Sequence, residues 1–235
     1  MSRRLGMFDY YGSKNMLAKR YPAPKHGLIV EPFAGSAAYS MFWLPKNPNL
    51  KAVLVEKSQR VYDAWMWLKS ATEKDLDALL DQLKLGERTT NFFIMSSQTS
   101  NAFFGCRYMT INKRMVDRFP GSVKRMKSLL PIMPRVEIVH GNYAQIPNVE
   151  ATWFIDPPYQ PVNGSIRGMG YDKKSNCTSL DIDYPVLGQW CMERKGQVIV
   201  CEQEGADWLP FRILCQTKNS QDKRYREMVW ENGYN

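Results

Sequence analysis

The segment Ala151-Thr-Trp-Phe-Ile-Asp-Pro-Pro-Tyr159 joins a short apolar run to a corner made of two prolines. The apolar run Trp153-Phe154-Ile155 is typical of a buried strand. The prolines must end that strand, because proline has no backbone N–H to donate to a neighbouring strand. The Asp156 carboxylate is therefore expected at the carboxyl end of a strand, which is where open α/β sheets bind their ligands.

This corner has the chemistry to hold an amino group. Neither proline carries an N–H, so the turn offers carbonyl oxygens and the Asp156 carboxylate without a competing main-chain donor. An amino group conjugated to an aromatic base is a poor nucleophile, because its lone pair is delocalised into the ring. Two acceptors on its hydrogens would localise the lone pair and aim it at an electrophile. Tyr159 would add an aromatic face for a planar base.

The Asp-Pro-Pro-Tyr sequence resembles the hallmark of the DNA adenine-N6 methyltransferases of the Dam type. By itself it is equally typical of a rigid turn. The resemblance implies S-adenosylmethionine as cofactor, with Asp156 bordering it, and double-stranded DNA as partner. It implies that the catalytic residues are Asp156, Pro157, Pro158 and Tyr159.

Bulk composition favours a polyanionic partner. The net charge is +9 and the isoelectric point is about 9.3, which indicates nucleic acid, although a basic soluble surface would give the same values. Five scattered cysteines and two histidines predict neither a disulfide framework nor a metal site. The amino terminus lacks a signal-peptide core and no apolar run approaches membrane-spanning length, so an intracellular protein with no membrane partner is expected.

The amino-terminal segment of residues 8–21 combines aromatic residues, a glycine and lysines. It resembles the family segment that closes over the cofactor, although a basic amphipathic start is the plainer interpretation. The resemblance predicts that Lys14 faces the cofactor's carboxylate or the DNA. The matching residues are Tyr10, Tyr11, Gly12, Ser13 and Lys14.

The segment Gly27–Ala38 predicts a strand, a turn of small residues and a helix. It has no GxGxxG, whose purpose is to cradle a pyrophosphate. S-adenosylmethionine has no phosphate, so Gly35 alone would let its methionine part approach the backbone. Glu31, Pro32, Phe33 and Gly35 are close to the cofactor motif of the resembled family, and an ordinary strand-turn-helix is the alternative.

Two later strands complete the predicted cofactor site. Ala52–Glu56 ends in an acid at the spacing that nucleotide folds use for ribose hydroxyls, so Glu56 is the predicted ribose ligand unless it only begins the next helix. Val136–Tyr143 aligns with the family's Gly-Asp-aromatic motif at the adenine of the cofactor. Asn142 stands where Asp is usual, and its amide can still reach the adenine edge beside Tyr143.

These segments predict an α/β fold of the class I, Rossmann-like methyltransferase type, with a mixed sheet and helices on both faces. Residues 1–69 and 136–235 would form the catalytic domain, and residues 70–135 a small helical target-recognition insert. The insert is expected to begin with a helix over Glu73–Leu85, followed by the aromatic and polar segment Thr89–Thr110.

A basic stretch closes the insert, and we expect it to bind DNA phosphates. The alternative is a solvated basic helix face. The predicted DNA-binding residues are Arg107, Lys113, Arg114, Arg118, Lys124, Arg125 and Lys127. The loop Gln160–Ser179, which follows the proline corner, is expected to act as a lid or to grip a displaced strand.

Several related functions stay open at the level of sequence. RNA adenine methyltransferases also carry Asp-Pro-Pro-Tyr. Cytosine-N4 methyltransferases usually have Ser where Asp156 stands, which makes them the weaker alternative. A nucleic-acid-binding relative without catalysis is the alternative from another class of protein.

Overall fold

A seven-stranded sheet organises the chain. The computed structural model describes residues 5–98, 106–162, 172–218 and 224–233. The main sheet contains Leu28–Glu31 (β1), Lys51–Glu56 (β2), Val136–His140 (β5), Ala151–Ile155 (β6), Gly196–Gln203 (β7), Arg212–Lys218 (β8) and Arg224–Glu231 (β9). A separate two-stranded sheet pairs Arg88–Thr89 (β3) with Met109–Thr110 (β4).

The strand order of the main sheet is β5-β2-β1-β6-β7-β9-β8. The pairs from β5 to β7 are parallel, whereas β9 runs antiparallel to both β7 and β8. The chain moves outward from β1 to β5 and then returns to the other side of β1 with β6, so a crevice opens where the order reverses. This is the predicted class I methyltransferase fold, with its mixed sheet.

The described helices are Ala38–Trp43 (α1), Gln59–Ser70 (α2), Glu73–Ala78 (α3), Phe92–Ser96 (α4), Lys113–Leu129 (α5) and Tyr184–Met192 (α6). In α2, Val61, Ala64, Trp65 and Leu68 are buried at the spacing of one helix face, which packs into the core. No helix among the described residues has the length and apolarity to cross a membrane.

Successive side chains of β6 point to opposite faces of the sheet and pack into the core on both faces. Trp153 and Ile155 pack on one face with β7 and α6, whereas Phe154 packs on the other against Tyr39 of α1, with ring centroids 4.2 Å apart. Because β6 is buried on both faces, every residue of this strand is apolar or fully buried. Central strands of this kind were predicted correctly.

Two elements differ from the sequence-based expectation. The helix expected over Glu73–Leu85 ends at Ala78, because the backbone of residues 79–83 continues in i→i+3 turns. Strand β8 was not predicted, because it is a half-exposed edge strand whose apolar and polar residues do not alternate regularly.

The aromatic and polar segment Thr89–Thr110, which belongs to the predicted target-recognition insert, is partly buried. Asn91 caps α4 by accepting from the N–H groups of Phe93 and Ile94, and Phe93, Ser96 and Ser97 are buried. Residues 99–105 of this segment lie outside the described residues. Phe93 belongs to the same apolar core as Trp65 of α2, so the predicted insert shares a core with the sheet. Its status as a separate domain stays a prediction.

Candidate active site

A cleft with about 860 Å³ of empty space opens at the carboxyl ends of β1, β2, β5 and β6. All of the predicted cofactor-binding residues line it: Tyr10, Tyr11, Gly12, Ser13, Lys14, Glu31, Pro32, Phe33, Gly35, Glu56, Asn142, Tyr143 and Asp156. These residues come from five separate parts of the sequence: the amino-terminal segment and the carboxyl ends of the four strands, which the strand order brings to one edge of the sheet.

In the turn after β1, Gly35 makes two hydrogen bonds and lies close to the Tyr10 ring. Its N–H donates to Glu56 Oε2 at 3.0 Å, and its carbonyl accepts from the Trp65 indole at 2.8 Å. Its φ of 48° lies in the left-handed region, and a Cβ there would stand 2.9 Å from the Tyr10 ring. Glycine is therefore needed for the backbone conformation and for Tyr10, whereas the sequence-based hypothesis attributed it to the ligand.

Two buried carboxylates form the floor of the cleft. Glu31 accepts from the Ser40 N–H at 2.8 Å, and burial raises its pKa to about 8. Glu56 accepts from the Ser58 N–H at 2.9 Å, and burial raises its pKa to about 7. A cationic guest, or hydroxyls that donate to these oxygens, would favour their ionised forms.

At the proline corner, Asp156 forms an ion pair with Lys14. The Lys14 Nζ lies 2.7 Å from Asp156 Oδ1, and both side chains are largely buried. Burial raises the pKa of Asp156 to about 6, although Lys14 pulls it downward. Burial works to lower the pKa of Lys14, but the carboxylates of Asp156 and Glu227 outweigh that effect and raise it.

This ion pair revises the expectation for Lys14. The lysine was predicted to face the cofactor's carboxylate or the DNA, whereas its ammonium is directed at the Asp156 carboxylate. Such a pairing keeps Asp156 ionised and able to accept hydrogen bonds, because an opposite charge at this distance favours the charged form.

The other residues of the proline corner divide between the cleft and the interior. Pro158 lines the cleft, and its carbonyl accepts from the Tyr184 hydroxyl at 2.8 Å, while Pro157 is buried. The Tyr159 hydroxyl donates to Glu227, and the Lys14 ammonium lies over the Tyr159 ring, 4.5 Å from its centroid. Stacking of a base on Tyr159 stays a prediction.

An aromatic pair marks the far end of the cleft. The rings of Phe33 and Tyr143 have centroids 5.4 Å apart. Asn142 caps the short turn that follows, because its side-chain oxygen accepts from the Ala144 N–H at 3.2 Å. The capping oxygen is thus engaged, and only the amide NH2 of Asn142 is a candidate contact for a ring nitrogen.

The segment of residues 172–182 forms one wall of the cleft, and its first part, residues 172–179, belongs to the loop that was predicted to act as a lid. Asp172 accepts from the Ser58 hydroxyl at 2.8 Å, and the Lys57 ammonium donates to the Asn176 carbonyl at 2.6 Å. Asn176 has a φ of 50°. Asn176, Cys177, Asp181 and Ile182 line the cleft. The predicted lid over Gln160–Ser179 includes residues 163–171, which lie outside the described residues.

The lining fits S-adenosylmethionine by the chemistry of its groups. Glu56 is an acceptor for a ribose diol, the carboxylates suit a sulfonium and an amine, and the aromatic pair suits an adenine. Asp156 lines the same cleft.

Solved structures that resemble the chain include two methyltransferases. One is yhhF from Escherichia coli, a proposed methyltransferase, with 11% identity, a TM-score of 0.31, and coverage of 86% of this chain and 74% of that chain. The other is the antibiotic-resistance methyltransferase Kmr, with 10% identity, a TM-score of 0.37, and coverage of 87% and 86%. No protein-family model and no curated protein matches the chain. Likeness at this level identifies neither a reaction nor a substrate.

The predicted DNA-binding residues divide into two groups. Arg107, Lys113, Arg114 and Lys124 are exposed, and Arg118 is partly exposed. Arg125 is instead held by an ion pair 3.1 Å from the buried Asp9, which also accepts from the Ser122 hydroxyl. Lys127 pairs with Asp77 at 2.6 Å. Arg125 therefore does not fit the role of a phosphate contact, because releasing it would leave a carboxylate buried without its partner.

Proposed function

We propose that this protein transfers a methyl group from S-adenosylmethionine to the N6 amino group of adenine in DNA. One observation carries the proposal. A carboxylate that follows a parallel strand and precedes two prolines lies at the rim of a cleft whose other carboxylates and aromatic rings suit that cofactor. The cofactor supplies an electrophilic methyl group on a sulfonium.

In this proposal, Asp156 binds the target amino group. Its carboxylate accepts a hydrogen bond from the amine, and the Pro157 carbonyl is the second candidate acceptor on the rigid corner. Together they would localise the nitrogen lone pair, so that it could form the new N–C bond with the methyl group that the cofactor would supply, while the S–C electron pair would stay on sulfur. The methylated amine would then pass one proton to the Asp156 carboxylate and from there to water. With a pKa of about 6, Asp156 is mostly ionised near neutral pH.

The exposed basic residues near and within α5 would hold the polyanion. Lys113, Arg114 and Lys124 lie on the helix surface, and Arg107 lies shortly before it. Phosphate contacts of this kind position a nucleic acid without reading its sequence. Because a base inside a duplex cannot reach a cleft, the adenine would have to flip out, at a cost of a few kcal/mol.

Methyl transfer from labelled cofactor, followed by nucleoside analysis, tests the proposal. The purified protein is offered duplex DNA and structured RNA in parallel at the same concentration. The expected product is N6-methyladenine in DNA. Label in N4-methylcytosine or only in RNA would reject the proposed substrate, whereas an absence of transfer together with an absence of cofactor binding would reject methyl transfer itself.

A further inference from the structure

A buried carboxylate behind the proline corner connects several groups of the site. Glu227 lies on β9, is 3% exposed, and was not identified from the sequence. Its Oε1 accepts from the Tyr21 hydroxyl at 2.6 Å and from the Tyr159 hydroxyl. The same oxygen lies 3.7 Å from the Lys14 ammonium, which is the ion-pair partner of Asp156.

We propose that Glu227 is a positioning residue for methyl transfer, which orients Tyr159 and shares the Lys14 ammonium with Asp156. This inference rests on the proposed function, because the amino group of the substrate is what Asp156 would bind. Glu227 itself does not line the cleft and would touch neither substrate nor cofactor.

Because Asp156 and Glu227 share the Lys14 ammonium, Glu227 should affect how the substrate amino group binds to Asp156. Asp156 Oδ1 is 2.7 Å from Lys14, so an incoming amino group must compete with an ammonium for that oxygen. A second carboxylate at 3.7 Å gives the ammonium a compensating partner when its bond to Asp156 lengthens. A buried ammonium without such a partner would be costly, and Lys14 would then stay bound to Asp156.

The Glu227 carboxylate also orients Tyr159. Its hydroxyl bond to Glu227 and the contact of its ring with the Lys14 ammonium hold the ring in one position beside Asp156. Tyr21, which is buried, donates to the same Glu227 oxygen and so helps to hold the carboxylate in place. The four side chains Tyr21, Glu227, Tyr159 and Lys14 form a continuous support behind the proline corner.

Glu227→Gln tests the proposal, with Glu231→Gln as the matched control. Glu231 lies on the same strand and the same buried face, but it accepts from Gln197 at 2.9 Å and lies 3.4 Å from Lys25, away from the cleft. Both substitutions remove one buried carboxylate charge at nearly constant volume. Only Glu227→Gln should alter Asp156.

The first readout is the titration of Asp156, followed by NMR of ¹³C-labelled aspartate carboxyls and assigned by the signal lost in Asp156→Asn. The wild-type midpoint is expected near pH 6. Charged or titratable groups that face Asp156 are Lys14, Glu227, Glu31, Tyr21, Tyr159 and Cys201. Loss of the Glu227 charge should move the midpoint down by about one pH unit, because a like charge raises the pKa of a carboxyl. An unmoved midpoint overturns the proposal, whether or not the protein methylates adenine.

The second readout is steady-state methyl transfer to adenine-containing duplex DNA. Glu227→Gln should lower kcat/KM about tenfold, mainly through KM for DNA, and keep cofactor affinity within about twofold. Glu231→Gln should leave kcat/KM within about twofold. Equal losses in the two variants would indicate a structural role only.

A second variant keeps the test decisive if Glu227→Gln does not fold. Tyr159→Phe keeps the ring and removes only the hydroxyl that reaches Glu227. We expect kcat/KM to fall about fivefold with unchanged cofactor binding. An unchanged kcat/KM in Tyr159→Phe would reject the orienting role.

Discussion

The cleft and helix α5 use charged residues in opposite ways. At the cleft and directly behind it, Lys14 and Glu227 are buried, Asp156 is largely buried, and each contacts another charged group. On α5, neighbouring residues differ: Lys124 is exposed, whereas Arg125 is nearly buried against Asp9. The comparison teaches that a basic residue is a candidate ligand contact only where folding leaves its charge in water. A count of basic residues along the sequence cannot separate the two cases.

The largest effect should come from the proline corner. Asp156→Asn keeps the size of the side chain and removes the charge, so it should lower kcat about 10³-fold, as loss of a preorganised acceptor does. Binding of DNA should survive, because exposed phosphate contacts carry affinity. Turnover and fluorescence anisotropy with labelled duplex measure the two quantities. Joint loss of turnover and DNA binding would instead indicate a folding role for Asp156.

Arg125 and Lys124 are adjacent on α5 and should differ in their contribution to the free energy of unfolding. Arg125→Ala removes an ion-pair contact of the buried Asp9 carboxylate and should lower the free energy of unfolding by about 3 kcal/mol. Lys124→Ala, one position earlier and exposed, should change it by less than about 0.5 kcal/mol. Urea unfolding monitored by circular dichroism compares the two variants. Equal effects would contradict the division between a structural and a surface cation.

Cofactor binding should depend on pH through Glu56. Its pKa is raised to about 7 by burial, and ribose hydroxyls donate best to the ionised carboxylate. Affinity for S-adenosylmethionine should therefore rise as pH increases through about 7. Calorimetric titrations between pH 6 and 8 give the dependence, with a buffer series to count released protons.

The matched variant for this dependence is Glu56→Gln. It should weaken cofactor binding about tenfold at pH 8, because a hydrogen bond to a charged acceptor is replaced by a weaker one. It should also flatten the pH dependence. A wild-type affinity that falls with increasing pH would contradict the assignment of Glu56 to the ribose.

The smallest effect should come from single surface cations. Lys113→Ala and Lys124→Ala should each weaken DNA binding a few-fold and reduce the slope of log K against log salt by about one. Binding titrations at several salt concentrations provide the slopes. If both substitutions leave the DNA affinity and the salt slope unchanged, the DNA-binding surface does not include these residues.

Local segments of the sequence were sufficient to predict much of the site. The strand that ends at Asp156, the turn at Gly35 and the acid that ends β2 are each specified by consecutive residues. Their order along the chain also predicted the Rossmann-like fold with its mixed sheet. Proline, glycine and apolar runs act on the backbone of their own neighbours, so their effect can be inferred without knowledge of distant contacts.

Only the tertiary structure decided which charged groups meet. Glu227 contacts Tyr21, Tyr159 and Lys14 because β9 pairs with β7 in the sheet. No local sequence pattern identifies a glutamate in this strand as part of the site. The same holds for Arg125 and Asp9, which are far apart in sequence. The sequence by itself determined the central strands and the turns that follow them, and it predicted the kind of chemistry at Asp156. The fold determined the ion pairs and the exposure of each cation, because burial and long-range contacts depend on how the elements pack.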